Sequence, residues 1–461
     1  MSQPTSDAIV FFGATGDLAY QQVFPALLGL VRDEGCNVPI IGMVRGDWTL
    51  DRLKARAKDS VEHKGPVDTA ALQKFMGLLS CVNGDYDDPE TFTRLKTALG
   101  EAKRPLLYLA VPASLFGQVT ESLAKSGCAD NARLVVEKPF GRDLASAREL
   151  NRVLHQYVPE TNIFRMDHYL GKEPVQNILY TRFANPMFEP IWNRNYVRSI
   201  QITMAETFGV GDRGGFYEET GAIRDVIQNH MLQLLSLLAM EPPTSGDCDA
   251  VCDQKTNLLR AVRPLDPAHV VRGQFDGYLK APGVAAGSRV ETFVAVKLCI
   301  DNWRWAGVPI YIRAGKTLPV TATEIVVEFK KPPKSIFDDL AGAAPGHLRF
   351  RISPDISIGL GLRVKTPGEA MAGEDVEMIL TEQPARDRPP YQRLLGDAMH
   401  GLKDLFACEG VVEAQWRIVE PVLDAADAPR SYPQDGWGPA EADTLIGLDG
   451  PWRAPVAQGA P

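Results

Sequence analysis

Short apolar runs alternate with helix-like segments over the first third of the chain. Four such runs are rich in β-forming residues: Ala8–Phe12, Val38–Val44, Pro105–Val111 and Arg133–Val136. A run that is apolar at every position predicts a strand buried on both faces, and strands separated by helices predict parallel pairing. We therefore expect an α/β Rossmann-like, doubly wound domain over residues 1–164.

The pattern changes after residue 164, where apolar and polar positions alternate within the β-forming runs. These runs are Val197–Met204, Thr292–Ile300, Val308–Ile312, Glu324–Phe329 and His347–Ile352. Alternation predicts strands buried on one face, as in antiparallel sheets. With a helical stretch from Asp225 to Met240, residues 165–461 are expected to form an α+β domain around a large, mostly antiparallel sheet. The Gly-, Ala- and Pro-rich end from Leu448 onward predicts a loose tail.

The first predicted helix contains a proline. The apolar stretch Val23–Val31 follows the first strand and a G-A-T-G-D-L turn, and Pro25 lies inside it. Because proline lacks the N–H that an interior helical residue donates, the helix either kinks at Pro25 or begins later than the apolar pattern suggests.

Composition and charge narrow the class of protein. The 461 residues, 45% hydrophobic and 23% charged, are typical of a globular protein with more than one domain. The net charge of −9 argues against a general binder of nucleic acid or anionic membranes. No run reaches the roughly 18 apolar residues of a membrane span, so a cytoplasmic location is expected.

The number and spacing of the cysteines do not indicate a metal site. Seven of them, an odd number, are scattered along the chain, which suits a reduced compartment where most are small core residues. Cys248 and Cys252 form a C-x3-C string, but no second pair follows at zinc-site spacing. We therefore predict no bound metal.

Arg165–Glu173, reading R-M-D-H-Y-L-G-K-E, is the segment richest in chemistry. If it opens a helix, His168 and Lys172 stand four residues apart on one face, beside the free N–H groups of the first turn. That arrangement predicts an anion site. Asp167 would lie about 100° round the helix from His168, so it could serve another partner, such as a second histidine elsewhere.

Two further signals are weak when taken alone. G-A-T-G-D-L lacks the full G-x-G-x-x-G spacing, and a glycine pair after a strand is often only a turn. Arg45 ends the second strand, where an NAD site carries an acid, and an arginine there suits the 2′-phosphate of NADP. The alternative is a solvated arginine beside Asp47.

Lys138 and His230 are each open to two interpretations. Lys138 leaves a buried parallel strand at the edge where ligands bind in such sheets, or it is a surface cation beside Glu137. His230 lies on the apolar stripe of the helix from Asp225 to Met240, either as a base or as a hydrogen-bonded core residue. Asp225 lies about 140° from His230 on ideal helical spacing, so their pairing cannot be assumed.

Taken together, these motifs resemble one family. G-A-T-G-D-L, E-K-P-F-G, R-M-D-H-Y-L-G-K-E, R-G-G-F-Y, I-R-D-V-I-Q-N-H-M-L-Q and R-A-G-K-T-L occur in the order of the glucose-6-phosphate dehydrogenase family. The resemblance runs from about Ile9 to Leu445. It implies oxidation of glucose 6-phosphate with hydride transfer to NADP, and a homodimer or homotetramer that assembles through the second domain.

The resemblance also implies a role for each matching residue. His230 would be the general base, and Asp167 the carboxylate that orients it. The implied substrate ligands are Lys138, His168, Tyr169, Lys172, Glu206, Asp225 and Lys316. The implied dinucleotide ligands are Gly13, Thr15, Gly16, Asp17, Leu18, Arg45, Ala110, Pro112 and again Lys138.

The chain departs from the family pattern at two places. Tyr20, Gln21 and Gln22 stand where a basic run is usual, and the residues from Pro319 to Thr321 lack the cation usual after R-x-G-K. We therefore expect NADP to be preferred by a smaller margin, with measurable use of NAD, and weaker substrate binding.

Two alternative functions stay open. One is a Rossmann oxidoreductase that acts on another sugar or sugar phosphate, and the other is a catalytically silent, nucleotide-sensing scaffold. Intact His168, Tyr169 and Lys172 count against an unphosphorylated sugar, and intact His230 and Asp167 count against a silent protein.

Overall fold

The structure is a computed structural model. It describes residues 5–334, 336–337, 343–368, 371–381, 388–425 and 427–456. The chain divides into two compact units. The first unit comprises the described residues within Met1–Lys172, Gly246–Cys252 and Arg386–Glu413, and the second comprises those within Glu173–Ser245, Asp253–Ala385 and Ala414–Pro461.

The described residues contain strands of three to nine residues. In chain order they are β1 Ala8–Phe12, β2 Ile40–Val44, β3 Leu79–Asn83, β4 Pro105–Leu109, β5 Arg133–Glu137, β6 Ile163–Met166, β7 Val197–Ala205, β8 Val270–Phe275, β9 Phe293–Leu298, β10 Ile310–Gly315, β11 Ala322–Phe329, β12 His347–Ser353, β13 Ser357–Lys365, β14 Gly373–Thr381 and β15 Arg430–Tyr432.

The α-helices lie between and around these strands. They are α1 Phe24–Asp33, α2 Leu50–His63, α3 Thr69–Leu78, α4 Pro89–Leu99, α5 Phe116–Lys125, α6 Leu144–His155, α7 Glu173–Ala184, α8 Gly214–Ala222, α9 Leu232–Ala239, α10 Cys248–Ala261, α11 Pro390–His400, α12 Glu409–Val419 and α13 Glu441–Ile446. Within the described residues, no helix has both the length and the apolar run that a bilayer crossing requires.

The first unit is built on a parallel sheet with strand order β3-β2-β1-β4-β5-β6. This is the order of dinucleotide-binding folds, and the predicted doubly wound architecture is confirmed. Strands β1, β2, β4 and β5 are buried at every position because helices cover both faces of the sheet. The apolar pattern missed β3, an edge strand that carries polar residues at partly exposed positions.

Pro25 lies just after a π-helical turn in the first helix. Residues Ala19–Val23 form one turn of π-helix, and α1 begins at Phe24, so Pro25 lies in the first α-helical turn. The helical backbone is continuous from Asp17, and the π-helical turn interrupts the regular i to i−4 hydrogen bonding just before Pro25, which has no N–H to donate.

The second unit is built on a nine-stranded sheet with order β14-β13-β12-β11-β7-β10-β9-β8-β15. Most neighbours are antiparallel, as predicted, but β7 pairs with β10 in parallel, and β15 pairs with β8 in parallel. The parallel β7–β10 pair places the carboxyl ends of both strands at one edge of the sheet.

The predicted loose tail is wrong for its described part. Trp452 is only 8% exposed and donates its indole N–H to the Ala442 carbonyl at 2.9 Å. The Arg453 side chain forms an ion pair with Glu328 on β11 at 2.8 Å. Apolar burial and a partly buried ion pair therefore hold this segment on the sheet. Residues 457–461 lie outside the described residues.

The cysteines also differ from the expectation of small core residues. Cys252 and Cys408 form a disulfide within the first unit. Of the five free cysteines, only Cys128 is buried, and the other four are partly exposed.

Candidate active site

The turn after β1 approaches the loop after β4 in the first unit. Gly13 has a φ of +75°, and a Cβ atom there would overlap the carbonyl oxygen of Ala110. Only glycine satisfies both conditions. The Gly16 N–H donates to the Gly13 carbonyl at 2.9 Å, which closes the turn. Strands β1 and β4 flank the point where strand order reverses, the usual site of dinucleotide binding in this fold.

Tyr86, which the sequence motifs did not identify, links Arg45 to this turn. The Arg45 guanidinium sits 5.1 Å from the centre of the Tyr86 ring, and the Tyr86 hydroxyl accepts a hydrogen bond from the Gly13 N–H at 3.0 Å. Arg45 is itself exposed. A cation stacked on an aromatic ring is held in place and keeps its charge at the surface.

Arg56 on α2 is a second cation at this turn that sequence reasoning missed. It donates to the Gly16 carbonyl at 3.3 Å and lies 3.7 Å from the Asp17 carboxylate. Its guanidinium also lies 5.0 Å from the ring of Tyr20, where the family usually has a basic run. Arg56 on α2 therefore places a cation beside Tyr20, a position where this chain lacks the usual basic residue.

The other predicted dinucleotide ligands lie nearby in the chain. Thr15 is partly exposed and Leu18 precedes the π-helical turn. After β4, Pro112 precedes a short 3-10 turn, and its carbonyl accepts the N–H of Leu115 at 2.9 Å.

Lys138 follows β5 at the same edge of the sheet. Its neighbour Glu137 is buried and accepts a hydrogen bond from the Tyr108 hydroxyl at 2.6 Å. Burial raises the pKa of Glu137 to about 7, while the Tyr108 hydroxyl and the adjacent Lys138 act in the opposite direction. Glu137 is therefore not an exposed neighbour of Lys138, and the role of Lys138 stays a prediction.

The segment after β6 is a turn, so the helical arrangement considered for Arg165–Glu173 does not occur. Residues 168–171 form turns and α7 begins only at Glu173. The Asp167 carboxylate, which is 1% exposed, accepts the N–H of Tyr169 at 3.0 Å and stabilises this compact conformation.

The turn nevertheless brings His168 and Lys172 together. The Lys172 ammonium lies 3.7 Å from the centre of the Tyr169 ring, and the His168 imidazole meets the same ring edge-on at 5.2 Å. Tyr169 is buried and so provides a fixed surface for both groups. The turn therefore groups a cationic and a polar side chain around Tyr169 without a helix, and their role as ligands stays a prediction.

In the second unit, the parallel strand pair places Glu206 against Lys316. These residues directly follow β7 and β10, and the Lys316 ammonium donates to the Glu206 carboxylate at 2.7 Å. Backbone bonds lock the pair, since the Glu206 N–H donates to the Gly315 carbonyl at 3.0 Å and the Leu318 N–H to the Glu206 carbonyl at 2.9 Å.

His230 lies on a π-helix, which changes the spacing assumed from sequence. Residues Ile223–Met231 have π geometry between α8 and α9. Hydrogen bonds in a π-helix join residues five apart, so the ideal spacing that separated Asp225 from His230 by about 140° does not apply. His230 is 2% exposed, and its backbone N–H donates to the Asn229 side-chain oxygen at 2.7 Å.

Tyr217 on α8 joins the remaining second-unit ligands and was not identified from sequence. The Lys316 ammonium lies 5.2 Å from the centre of its ring. Burial and the nearby carboxylates of Asp225, Glu291 and Glu206 raise the pKa of Tyr217 well above its ordinary value. Three predicted substrate ligands of this unit therefore surround one buried phenol.

These features define a class of protein. A parallel sheet with the order of dinucleotide-binding folds carries a glycine turn and cations at its switch point, and a second unit presents a buried histidine, carboxylates and a lysine. This combination is that of a two-unit oxidoreductase with a dinucleotide cofactor.

Comparison with known families assigns the chain within that class. Residues 10–177 match the family model described as the NAD binding domain of glucose-6-phosphate dehydrogenase. Residues 179–453 match the model of the C-terminal domain of the same enzyme. The chain belongs to the glucose-6-phosphate dehydrogenase family.

Individual relatives are similar over almost the whole chain. Glucose-6-phosphate 1-dehydrogenase 1 of Mycobacterium tuberculosis (strain ATCC 25618 / H37Rv) is 42% identical over 456 residues, covering 98% of this chain and 97% of the relative. A crystal structure of the Mycobacterium avium enzyme has a TM-score of 0.93 at 43% identity, covering 99% of this chain and 100% of the other. A glucose-6-phosphate dehydrogenase in complex with glucose 6-phosphate has a TM-score of 0.90 at 34% identity, with the same coverage.

Proposed function

We propose that this chain oxidises glucose 6-phosphate at C1 to 6-phosphoglucono-1,5-lactone and that NADP is its preferred cofactor. The observation that carries the proposal is the turn after β6, where a buried tyrosine holds a lysine and a histidine directly after a buried aspartate. Such a group fits a sugar phosphate. Membership of the family and the solved relative with bound glucose 6-phosphate support the same substrate.

The residues near the β1 turn fit a dinucleotide. Gly13 has no side chain, so the turn can lie directly against the Ala110 carbonyl, and a tight glycine turn of this kind lets a pyrophosphate approach the backbone. Arg45, stacked on Tyr86, offers a planar pair of donors to a 2′-phosphate. The bound nicotinamide supplies the hydride acceptor.

The chain's own residues would then handle the proton and the sugar. His230 takes the proton of the C1 hydroxyl as the C1 hydride leaves, so that C1 becomes a lactone carbonyl. Asp167 orients the imidazole and stabilises its protonated form, as carboxylates do for other catalytic histidines. His168, Tyr169 and Lys172 bind the phosphate.

The remaining substrate ligands would bind the rest of the sugar. Glu206 and Asp225 accept hydrogen bonds from its hydroxyls. Lys316 and Lys138 add positive charge, and Lys138 also contacts the dinucleotide.

Initial rates at 340 nm test the proposal. We expect fast reduction of NADP with glucose 6-phosphate, slower reduction of NAD, and little reduction with unphosphorylated glucose. Equal rates with both sugars would favour the alternative of an oxidoreductase for unphosphorylated sugars. No reduction with any hexose or hexose phosphate would favour the silent scaffold.

An apolar face on the second unit supports a homodimer as part of the proposal. Leu362 on β13 lies opposite Val376 on β14, so the two side chains share one face of the sheet. That face is exposed and apolar, and Met378 and Leu380 extend it along β14 with exposures of 54% and 72%. A continuous exposed apolar face on an edge strand marks an association surface. A second copy of this chain is the partner that we propose, with a homotetramer as the alternative.

Substitutions on the two faces of β14 test this assembly. Leu380→Glu introduces charge on the apolar face, and Ile379→Glu introduces the same charge on the opposite face of the same strand. We expect Leu380→Glu to give monomers in light scattering and Ile379→Glu to leave the assembly intact. A wild-type monomer would exclude the dimer, and a wild-type mass of four chains would favour the tetramer.

A cytoplasmic location remains a prediction. It implies reduced thiols, whereas Cys252 and Cys408 are joined in the structure. Alkylation of intact cells before lysis, followed by mass spectrometry, would show whether the pair is reduced there.

A further inference from the structure

A buried polar cluster lies behind the turn that carries His168 in the first unit. Glu137 ends β5, and its carboxyl receives hydrogen bonds from two tyrosines, Tyr108 on β4 and Tyr391 in the first turn of α11. All three side chains are buried. Burying a carboxyl is costly unless hydrogen bonds satisfy it, and the two phenols supply them.

Tyr391 also contacts the turn itself. Its ring stacks on the His168 imidazole with centroids 6.1 Å apart and an angle of 19° between the planes. His168 also meets the Tyr169 ring edge-on. The imidazole therefore contacts two aromatic rings, and neither ring belongs to a residue that reacts.

The backbone brings α11 close enough for this contact. A Cβ atom on Gly171 would lie 3.0 Å from the Leu394 side chain and 3.1 Å from the Pro390 carbonyl. The turn and the start of α11 are therefore packed against each other, and Tyr391 has little freedom to move away from His168. Its hydroxyl on Glu137 then sets the orientation of the ring.

Packing alone does not require the hydroxyl of Tyr391 or the carboxyl of Glu137. A leucine or phenylalanine could fill the space of Tyr391, and an apolar residue could replace Glu137 without a desolvation cost. What distinguishes Tyr391 from Tyr108 is that Tyr391 joins the carboxyl to a predicted phosphate ligand.

We propose that Tyr391 is a positioning residue that orients His168 for the phosphate of the substrate, and that Glu137 orients Tyr391. The inference rests on the proposed function, because it assumes that His168 binds the phosphate. According to this proposal, Tyr391, which is far from His168 in the sequence, contributes to the preference for a phosphorylated sugar.

Three variants at the cluster test the proposal. Tyr391→Leu removes both the ring and the hydroxyl, Tyr391→Phe removes only the hydroxyl, and Tyr108→Phe removes the other phenol oxygen on the same carboxyl. We expect Tyr391→Leu to raise the KM for glucose 6-phosphate about three- to tenfold, the range of an aromatic pair. The kcat, the KM for the dinucleotide and the kcat/KM for glucose should stay near their wild-type values.

The other two variants separate positioning from general packing. Tyr391→Phe keeps the stacked ring and should raise the KM less than Tyr391→Leu, whereas Tyr108→Phe should not change it. Equal losses with glucose and glucose 6-phosphate, or an unchanged KM in Tyr391→Leu, would overturn the proposal. A wild-type protein that does not oxidise glucose 6-phosphate would instead overturn the proposed function.

A double-mutant cycle keeps the test decisive if Tyr391→Leu does not fold. Tyr391→Phe and His168→Asn are combined, and the KM for glucose 6-phosphate is measured for each single variant and the double. If Tyr391 acts through His168, the effect of Tyr391→Phe disappears when His168 is replaced. Additive effects would overturn the proposal.

Discussion

The two units place their predicted ligands in different ways. In the first unit, Gly13, Arg45, Lys138 and Asp167 each directly follow a strand of one parallel sheet. The carboxyl ends of parallel strands meet at one edge, so chain connectivity alone brings these residues near one another. No specific contact between side chains far apart in the sequence is needed to bring them together.

The second unit depends on less regular features. Glu206 and Lys316 meet because β7 and β10 are parallel within a mostly antiparallel sheet. Asp225 and His230 share a π-helix rather than an α-helix. The comparison shows that ligands of a parallel sheet follow from element order, whereas those of a mixed sheet depend on specific pairings.

The largest effect should come from the buried histidine of the second unit. His230→Asn is expected to lower kcat by about 10²–10⁴-fold, the usual contribution of a general base, with little change in the KM for glucose 6-phosphate. His269→Asn, an exposed histidine of the same unit, is the control and should leave kcat unchanged. Near-normal turnover in His230→Asn would remove this residue from the mechanism.

The described end of the chain should matter for the stability of the second unit. Trp452 contacts the Arg313 guanidinium at 4.6 Å and the Tyr311 ring at 5.9 Å. Trp452→Ala should therefore lower the free energy of unfolding by about 3–5 kcal/mol, the range for loss of a buried aromatic side chain. Trp303, which is 96% exposed, is the matched control. Equal denaturation midpoints for both alanine variants would show that the end of the chain is not held.

A smaller effect is expected at the turn of the first unit. Lys172→Ala should weaken binding of glucose 6-phosphate by about 1.5–3 kcal/mol, the value of a hydrogen bond to a charged group. Unphosphorylated glucose should be unaffected. Lys125→Ala, on the exposed surface of α5, is the control for loss of a charge. If both sugars lose affinity equally, Lys172 does not bind the phosphate.

The smallest effect concerns cofactor choice and separates two arginines. Arg45 is exposed, so Arg45→Ala should cost NADP about 1.5 kcal/mol and leave NAD nearly unchanged. Arg56 instead holds the turn through Gly16 and Asp17, so Arg56→Ala should lower kcat/KM for both cofactors. Parallel measurements with NADP and NAD decide between these roles. An equal loss for both cofactors in Arg45→Ala would show that it does not recognise the 2′-phosphate.

Many strands with uniform or one-sided burial were predictable, although the fully buried β6 and the alternating first half of β13 were not identified. The fully buried β1 and β4 and the alternating β12 were all identified from sequence. The edge strands β3 and β14 were missed, since an exposed edge imposes neither pattern on the sequence. The same reasoning failed at the end of the chain, where a few large residues anchor a segment of loop-like composition.

The local order of residues was enough to establish the family, the parallel sheet, the glycine turn and the grouping of chemistry after β6. Each of these depends on residues close together in the chain, or on a repeated pattern of burial. The contacts of Tyr86 and Arg56 with the glycine turn, the π-helix at His230 and the return of α11 to the first unit came only from the folded structure. They depend on side chains far apart in the chain, whose approach is set by packing and hydrogen bonding and leaves no local pattern in the sequence.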